Sequence, residues 1–195
     1  MVSRGVALKG WAEAVAAFER RERPGTALVL VGEGAAINDI RKKPIPDSVI
    51  LAGFSARPLD YIRHFDVGML PTRFPHESLP TVIMEYLHCA KPVIATDVGE
   101  IRAMIADPEG RMAGLLLTLS EGTIFVDELA AAMATMLNDA ARRAEFQSAA
   151  AGASAKFDMG ECVRRYTELY ERVTARPAQA PPRTTPATAA RSSPL

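Results

Sequence analysis

The chain has 195 residues, 48% of them apolar, with 23 basic and 23 acidic residues. This length is typical of one domain of roughly 100–200 residues, and the balanced charge offers no basic surface for nucleic acid. No apolar run could span a membrane, and residues 1–5 do not resemble the start of a signal peptide. Cys89 and Cys162 lack metal-ligand spacing, so we expect reduced thiols in a cytoplasmic protein.

Short apolar runs alternate with helical patterns along the chain. Runs that are apolar at nearly every position predict strands buried on both faces. The alternation predicts an α/β fold, a Rossmann-like parallel sheet with helices on both faces. In chain order we predict helix 11–21, strands 27–31 and 49–52, helix 59–65, strand 67–70, helix 80–90, strand 92–95, helix 100–106, strand 113–119, a long helix 125–157 broken near 150–154, and helix 161–174.

The two ends of the chain differ from the rest. Residues 1–3 have the pattern of the last part of a strand, so we expect a piece of a longer protein. Residues 177–195 contain five prolines and almost no large apolar side chains, a composition that favours disorder. We therefore expect one folded domain over residues 1–176 followed by a disordered tail.

Gly32 and Gly34 follow the predicted strand 27–31 directly. Folds of this class bind ligands beyond the carboxyl ends of their strands. A dinucleotide fingerprint would need a third glycine, where the chain has Ile37, and an acid about 20 residues later, which is absent. We interpret the two glycines as a tight turn whose backbone can face a ligand.

Arg4 and Lys9 lie on a glycine-containing loop between the first strand and the first helix. A forked guanidinium and an ammonium together suit the charge of a diphosphate. The spacing alone is a weak signal, because surface loops often carry both residue types.

Two glutamates, Glu77 and Glu85, lie before and inside the predicted helix 80–90. Ser78 can cap this helix and Pro80 suits its first turn. The helix is apolar almost all round, so a carboxylate within it needs a partner or a ligand. From the residues alone, a structural ion pair and a ligand contact are equally good interpretations of Glu85.

The spacing of these two glutamates matches the E-x7-E motif of retaining glycosyltransferases of family 4, and the chain resembles the C-terminal domain of that family. The similar segments are residues 67–71 and 91–100 on either side of the motif, Arg4 with the Lys9-Gly10 pair, and the glycine turns of residues 29–34 and 51–54. They occur in the family's order, and together they cover roughly residues 1–175.

The resemblance implies the C-terminal half of a GT-B fold, in which two Rossmann-like domains enclose the active site. It also implies that Arg4 and Lys9 hold the donor diphosphate without a metal ion or other cofactor. Glu77 would contact the donor sugar, which completes the expected catalytic set. The expected donor-binding residues are Glu85 at the ribose, the helix start Ser78, Leu79, Pro80 and Thr81, Gly32 and Gly34 in the cleft, and Gly53 and Phe54 near the base.

The implied function is the donor-binding half of a retaining glycosyltransferase. The enzyme would move a sugar from a nucleotide-sugar to a saccharide or lipid-linked acceptor, with at most peripheral membrane association. Because the acceptor domain would be missing, we expect this chain to be inactive alone. The alternatives are a non-catalytic nucleotide-binding module that acts through a partner chain, and a sugar-nucleotide epimerase of the same fold.

Overall fold

The structure is a computed structural model that describes residues 1–21 and 24–175. It forms two units, Met1–Phe157 and a second that begins at Asp158. The predicted boundary at residue 176 and the predicted tail both lie outside the described residues. The elements are α1 Trp11–Glu19, β1 Leu28–Val31, α2 Ala35–Arg41, β2 Val49–Gly53, α3 Pro58–Ile62, β3 Gly68–Leu70, α4 Thr81–His88, β4 Val93–Thr96, α5 Ile101–Ile105, β5 Gly114–Leu117, α6 Val126–Asn138, α7 Ala140–Ser154 and α8 Met159–Thr174, with 3-10 turns at Ala7–Lys9 and Ala155–Phe157.

The strands are parallel, as the α/β alternation predicts. β1 pairs with β2 in one sheet, and β3, β4 and β5 form a second sheet in that order. Gly68 of β3 and Gly114 of β5 both lie opposite Val93 of β4. Every residue of β4 is buried, which explains why this segment is apolar at nearly every position.

Tyr86 joins the two sheets where one continuous sheet was expected. Residues 1–3 lie along β1, with Val2 bridged to Val31. On the other side, Val2 N donates to the Tyr86 hydroxyl at 2.9 Å, and this hydroxyl donates to the Met69 carbonyl at 3.2 Å. A buried side chain therefore links residues 1–3 to β3 in the described part of the chain.

The predicted helix 125–157 contains one break that was not expected, and one further helix was missed. The stretch 125–157 breaks at Asp139, whose carboxylate caps α7 by accepting from Arg142 N at 2.9 Å. A second break lies at the end of the predicted range 150–154, because α7 ends at Ser154 and the 3-10 turn Ala155–Phe157 follows it. The seven-residue helix α2 was missed because its apolar face comprises only Ala36, Ile37 and Ile40.

Two apolar clusters form the core of the first unit. One lies around α1, β1 and α6, and the other around α4, α5 and α7. Fully buried large side chains of the first cluster include Trp11, Leu30, Leu129 and Met136, and those of the second include Ile83, Leu87, Ile101 and Ile105. These clusters fix the strand ends, and with them the loops that form the site.

The second unit contains α8, which shows the predicted helical spacing of apolar residues. Asp158 caps the helix by accepting from Glu161 N at 2.8 Å. The apolar residues that share one face are exposed: Val163, Tyr166, Leu169, Tyr170 and Val173.

Candidate functional site

The loops after residues 1–3 and after β1 are locked together at the carboxyl ends of the strands. Gly5 N donates to the Glu33 carbonyl at 2.8 Å. A Cβ on Gly32 would lie 1.9 Å from the Ser3 carbonyl oxygen, and one on Gly34 would lie 2.4 Å from that of Gly5. Both glycines are therefore required for this close approach of two backbones. Their expected contact with a ligand stays a prediction.

Lys9 and Glu77 come from loops 68 positions apart and form an ion pair. The Lys9 side chain is 16% exposed and the Glu77 side chain 8% exposed, so both charges are largely withdrawn from water. Lys9 ends a 3-10 turn that directly precedes α1. The structure thus brings two of the three expected catalytic residues into contact.

Thr72, which no sequence pattern had indicated, joins this pair. Its hydroxyl lies 2.9 Å from Glu77 Oε1, the same carboxylate oxygen that binds Lys9. Thr96 at the end of β4 donates to the Thr72 carbonyl. The signal that could have found Thr72 is its position two residues after β3, at a strand end where ligands bind.

The backbone of Glu77 is also fixed from the β4–α5 loop. Glu100 N donates to the Glu77 carbonyl at 2.9 Å. The loop therefore holds Glu77 independently of its side-chain partners.

Arg73 forms hydrogen bonds to the turn that carries Lys9. Its backbone N–H donates to the Leu8 carbonyl at 2.7 Å, and its guanidinium Nη2 donates to the Ala7 carbonyl at 3.0 Å. Its Nε is buried without a hydrogen bond, 3.4 Å from a carboxylate oxygen of Glu13. These contacts tie the loop after β3 to the turn before α1.

Arg4 is exposed, and its guanidinium makes no hydrogen bond or ion pair within residues 1–21 and 24–175. Lys9, in contrast, is already paired with a carboxylate. The expected convergence of Arg4 and Lys9 on one diphosphate stays a prediction.

The start of α4 corrects one expectation. The helix begins at Thr81 with Pro80 as its N-cap residue, so Ser78 lies too far upstream to cap it. Proline has no side-chain oxygen, and no side chain caps the first N–H groups of the helix. Ser78 and Leu79 are exposed beside this helix start. An uncapped helix N-terminus favours an anion through its N–H groups and its dipole.

Glu85 lies within α4 and is half-buried, without a hydrogen bond or ion pair to its carboxylate in the described part of the chain. Burial raises the pKa of this carboxyl group. An unpaired acid at such a position is unfavourable for the folded chain alone, which is consistent with a ligand contact.

Gly53 ends β2 and Phe54 follows it, at the same edge of the sheet as Gly32. Gly32 N donates to the Gly53 carbonyl at 2.7 Å, which holds the two strand ends together. The Phe54 side chain is 69% exposed and nothing in the described residues lies within 4 Å of a Cβ built on Gly53. This open, apolar corner has the character expected of a surface for a planar base.

The described ranges, 1–21 and 24–175, contain neither a metal-ion cluster nor a membrane-spanning helix. No group of three or more His, Cys, Asp or Glu residues there could hold a metal ion. No helix there is long and apolar enough to cross a membrane. Cys89 is half-buried and Cys162 is exposed, and both are free thiols.

This chain is similar to known glycosyltransferases in sequence. The sequence model of the family described as glycosyl transferases group 1 matches residues 2–139. A D-inositol 3-phosphate glycosyltransferase of Kineococcus radiotolerans is 34% identical over 154 residues, which are 72% of this chain and 34% of that protein. One of Xylanimonas cellulosilytica is 30% identical over 120 residues, or 62% of this chain and 27% of that protein. The chain spans about a third of the length of these relatives.

Solved structures confirm the predicted fold class. Anabaena Alr3699/HepE in complex with UDP superposes with a TM-score of 0.75 at 23% identity. The superposition covers 88% of this chain and 48% of that protein. At this identity the likeness establishes the fold, a Rossmann-like half of the larger molecule.

Proposed function

The chain belongs to the glycosyl transferases group 1 family, and from this premise we propose that it binds the nucleotide-sugar donor of a retaining glycosyltransferase. The acceptor would be a saccharide or a lipid-linked molecule, bound by a part of the enzyme outside this chain. The observation that carries the proposal is the contact between Lys9 and Glu77 beside the uncapped start of α4. A cation, a carboxylate and free N–H groups lie together there at the carboxyl ends of the strands.

The proposed role of Arg4 and Lys9 is to bind the diphosphate. As the bond between sugar and phosphate breaks, negative charge grows on the departing diphosphate, and the two cations stabilise it without a metal ion. Arg4 is free to bind an anion. The Lys9 ammonium, in contrast, must either leave Glu77 or bind Glu77 and the diphosphate at the same time. The start of α4, with Ser78, Leu79, Pro80 and Thr81, adds backbone donors to the same anion.

The proposed role of Glu77 is to hold the donor sugar through the carboxylate oxygen that is not already engaged. Lys9 and Thr72 both bind Oε1, and Oε2 accepts no hydrogen bond from a described residue. Oε2 is not among the fully buried unpaired atoms, so solvent or a sugar hydroxyl can reach it. The carboxylate thus has one oxygen bound to the protein and one open to a ligand.

Glu85 and the β2 turn complete the proposed donor site. The unpaired Glu85 carboxylate would accept hydrogen bonds from the ribose hydroxyls. Gly53 and the exposed Phe54 would lie near the base. The bound nucleotide-sugar would therefore extend from the β2 turn to Glu77.

Calorimetric titration tests this proposal. The ligands are uridine, adenosine and guanosine, their diphosphates, and the glucose conjugates of those diphosphates. Arg4→Ala and Lys9→Ala should weaken diphosphate binding about tenfold to a hundredfold, and nucleoside binding much less. Glu85→Ala should weaken binding of the bare nucleoside as well.

Lys42→Ala is the matched control, since Lys42 is an exposed lysine whose one ion pair among the described residues is with nearby Asp39. It should bind every ligand like the parent. If the variants at Arg4, Lys9 and Glu85 also bind like the parent and only melt earlier, their charges are structural and the proposal is wrong.

A transfer assay separates the enzyme from the alternative, a nucleotide-binding module that acts through a partner chain. We propose that this chain, about a third of its relatives' length, binds donor but transfers negligible sugar alone. Robust sugar transfer by the purified chain would refute the expectation that the chain is inactive alone. Adding the acceptor-binding part of a relative should restore transfer to an enzyme half, but not to a non-catalytic module.

A further inference from the structure

Thr72 occupies a central position in the site, with no part of the residue exposed. Its hydroxyl lies 2.9 Å from Glu77 Oε1 and 3.3 Å from the Leu8 carbonyl, and it accepts from Phe74 N at 3.2 Å. The Thr72 backbone is held at both of its polar groups. Its N–H donates to the Leu70 carbonyl, and its carbonyl accepts from the Thr96 hydroxyl. A β-branched side chain on a fixed backbone has little freedom to move.

The Thr72 hydroxyl has one proton, so it can donate fully to only one of its two acceptors, Glu77 Oε1 or the Leu8 carbonyl. Glu77 Oε1 is the nearer acceptor and carries charge, whereas the Leu8 carbonyl is farther away and already accepts from Arg73 N. Hydrogen bonds to an ionised acceptor are the stronger kind. The proton therefore points to Glu77.

The two partners of Oε1 differ in what ligand binding does to them. Lys9 is a flexible ammonium that a diphosphate would attract away from Glu77. Thr72 is a neutral, buried group that a diphosphate has no reason to displace. When the diphosphate engages Lys9, Thr72 is the side chain still holding Glu77 Oε1.

We propose that Thr72 is a positioning residue, which keeps Glu77 aligned with the donor sugar once the diphosphate has engaged Lys9. The inference rests on the proposed function. It assigns Thr72 no contact with the ligand. Its effect should therefore appear only with ligands that contain the sugar, and only through Glu77.

Calorimetry with Thr72→Val tests this role, because valine keeps the shape and removes the hydroxyl. The probes are the diphosphate that the parent binds most tightly and the glucose conjugate of that diphosphate. We expect the conjugate to bind about tenfold more weakly and the diphosphate to stay within about twofold. Thr72→Ser, which restores the hydroxyl, should recover parent affinity for the conjugate. If Thr72→Val does not fold, Thr72→Ala removes the same hydroxyl without adding an apolar atom beside Phe74 N.

Two comparisons show whether the effect passes through Glu77. In a Glu77→Gln background, Thr72→Val should cause no further loss of conjugate binding, because the aligned carboxylate is already gone. Thr135→Val is the matched control, since it removes a threonine hydroxyl whose hydrogen bond, among the residues that the structure describes, is to the Ala131 carbonyl within α6. It should leave both affinities unchanged.

Three results would overturn the assignment of Thr72. They are parent-like conjugate binding by the hydroxyl-free variants, an equal loss for both ligands, and an undiminished loss in the Glu77→Gln background. If the parent binds none of the nucleotides, the proposed function itself fails, and the role of Thr72 falls with it.

Discussion

At the scale of single residues, the Lys9–Glu77 ion pair sets up a competition for the ammonium. In the structure Glu77 holds Lys9, whereas a bound diphosphate would require the same ammonium. The affinity for diphosphate therefore includes the cost of weakening this ion pair. The pair thus opposes nucleotide binding while it stabilises two loops.

Replacing Glu77 by glutamine should release Lys9. We expect Glu77→Gln to bind nucleoside diphosphate at least about fivefold more tightly, because even an exposed ion pair can contribute about 1 kcal/mol and this pair is largely withdrawn from water. The same variant should bind the glucose conjugate no better than the parent, because the sugar loses its carboxylate. Calorimetry with both ligands measures the two effects separately.

Glu100→Gln is the matched control for this prediction. Glu100 lies in the loop beside Glu77, is exposed and has no ion pair in the described chain. If Glu100→Gln tightens diphosphate binding as much as Glu77→Gln does, the gain is a general charge effect and Lys9 is not released.

The raised pKa of Glu85 should make the stability of the folded chain depend on pH. Burial raises the pKa of this carboxyl in the folded chain above its value in the unfolded chain. The folded state therefore binds the proton more tightly, and the stability this provides is lost as pH rises through the folded pKa. The glutamine of Glu85→Gln does not titrate. The melting temperature of this variant should therefore rise relative to that of the parent as the pH increases from about 4 to 7.

Thermal melts at pH 4 and pH 7 measure this gain. Glu145→Gln is the control, because Glu145 is an exposed glutamate in the middle of α7 without an ion pair in the described residues. A gain at pH 7 for Glu85→Gln, combined with weaker nucleoside binding, would mean that the buried acid is retained for its ligand. An equal pH response of both variants would contradict this interpretation.

At the scale of elements, β3 and α4 depend on each other through Gly68 and Tyr86. A Cβ on Gly68 would lie 2.5 Å from two atoms of the buried Tyr86 ring. The Tyr86 hydroxyl then reaches Val2 and Met69 and links the two sheets. The absence of a side chain at Gly68 is what allows the ring to occupy this place.

Gly68→Ala should therefore destabilise the first unit by about 1–3 kcal/mol, the usual cost of overpacking a core. Tyr86→Phe keeps the ring and should cost about 1–3 kcal/mol, because buried backbone groups lose their partner. Denaturant unfolding measures both changes.

The pair Gly68→Ala and Tyr86→Leu tests the contact directly. Leucine vacates part of the ring's volume, so the double variant should lose less stability than the sum of the two single variants. Strict additivity would show that Gly68 and Tyr86 do not constrain each other.

At the scale of the whole molecule, the composition of residues 177–195 predicts that they are dispensable for folding. A chain that ends at Arg176 should have the parent's melting temperature within error. Differential scanning calorimetry measures this directly. A large loss of stability on deletion would show that these residues dock onto the folded part.

The proposed donor site also predicts that nucleotide binding needs no metal ion. Arg4, Lys9 and the start of α4 supply the positive charge, so diphosphate affinity should be the same in EDTA and in Mg²⁺. Calorimetry in the two buffers provides the comparison. A loss of affinity of tenfold or more in EDTA would contradict the proposed binding mode.

The sequence by itself determined the order and type of most elements. Strands buried on both faces are apolar at nearly every position, and this local pattern placed β1 to β5 within one to two residues of their observed ends. The pattern failed where the local signal was weak. Helix α2 buries only three of its residues, and the break before α7 is marked by a single capping residue, Asp139. The strand-end rule also singled out the glycine turns and the loop of Lys9, whereas the choice of Glu77 rested on the resemblance to a known family.

Only the tertiary structure decided which of those residues meet. The Lys9–Glu77 contact spans 68 positions, and the link from Tyr86 to Val2 spans 84. Neither partner of such a pair carries a local signal for the other, because the contact arises from how strands and helices stack. The same reason explains why Thr72 was missed and why Ser78 does not cap α4: both depend on where a chain segment lies in space rather than on which residues flank it.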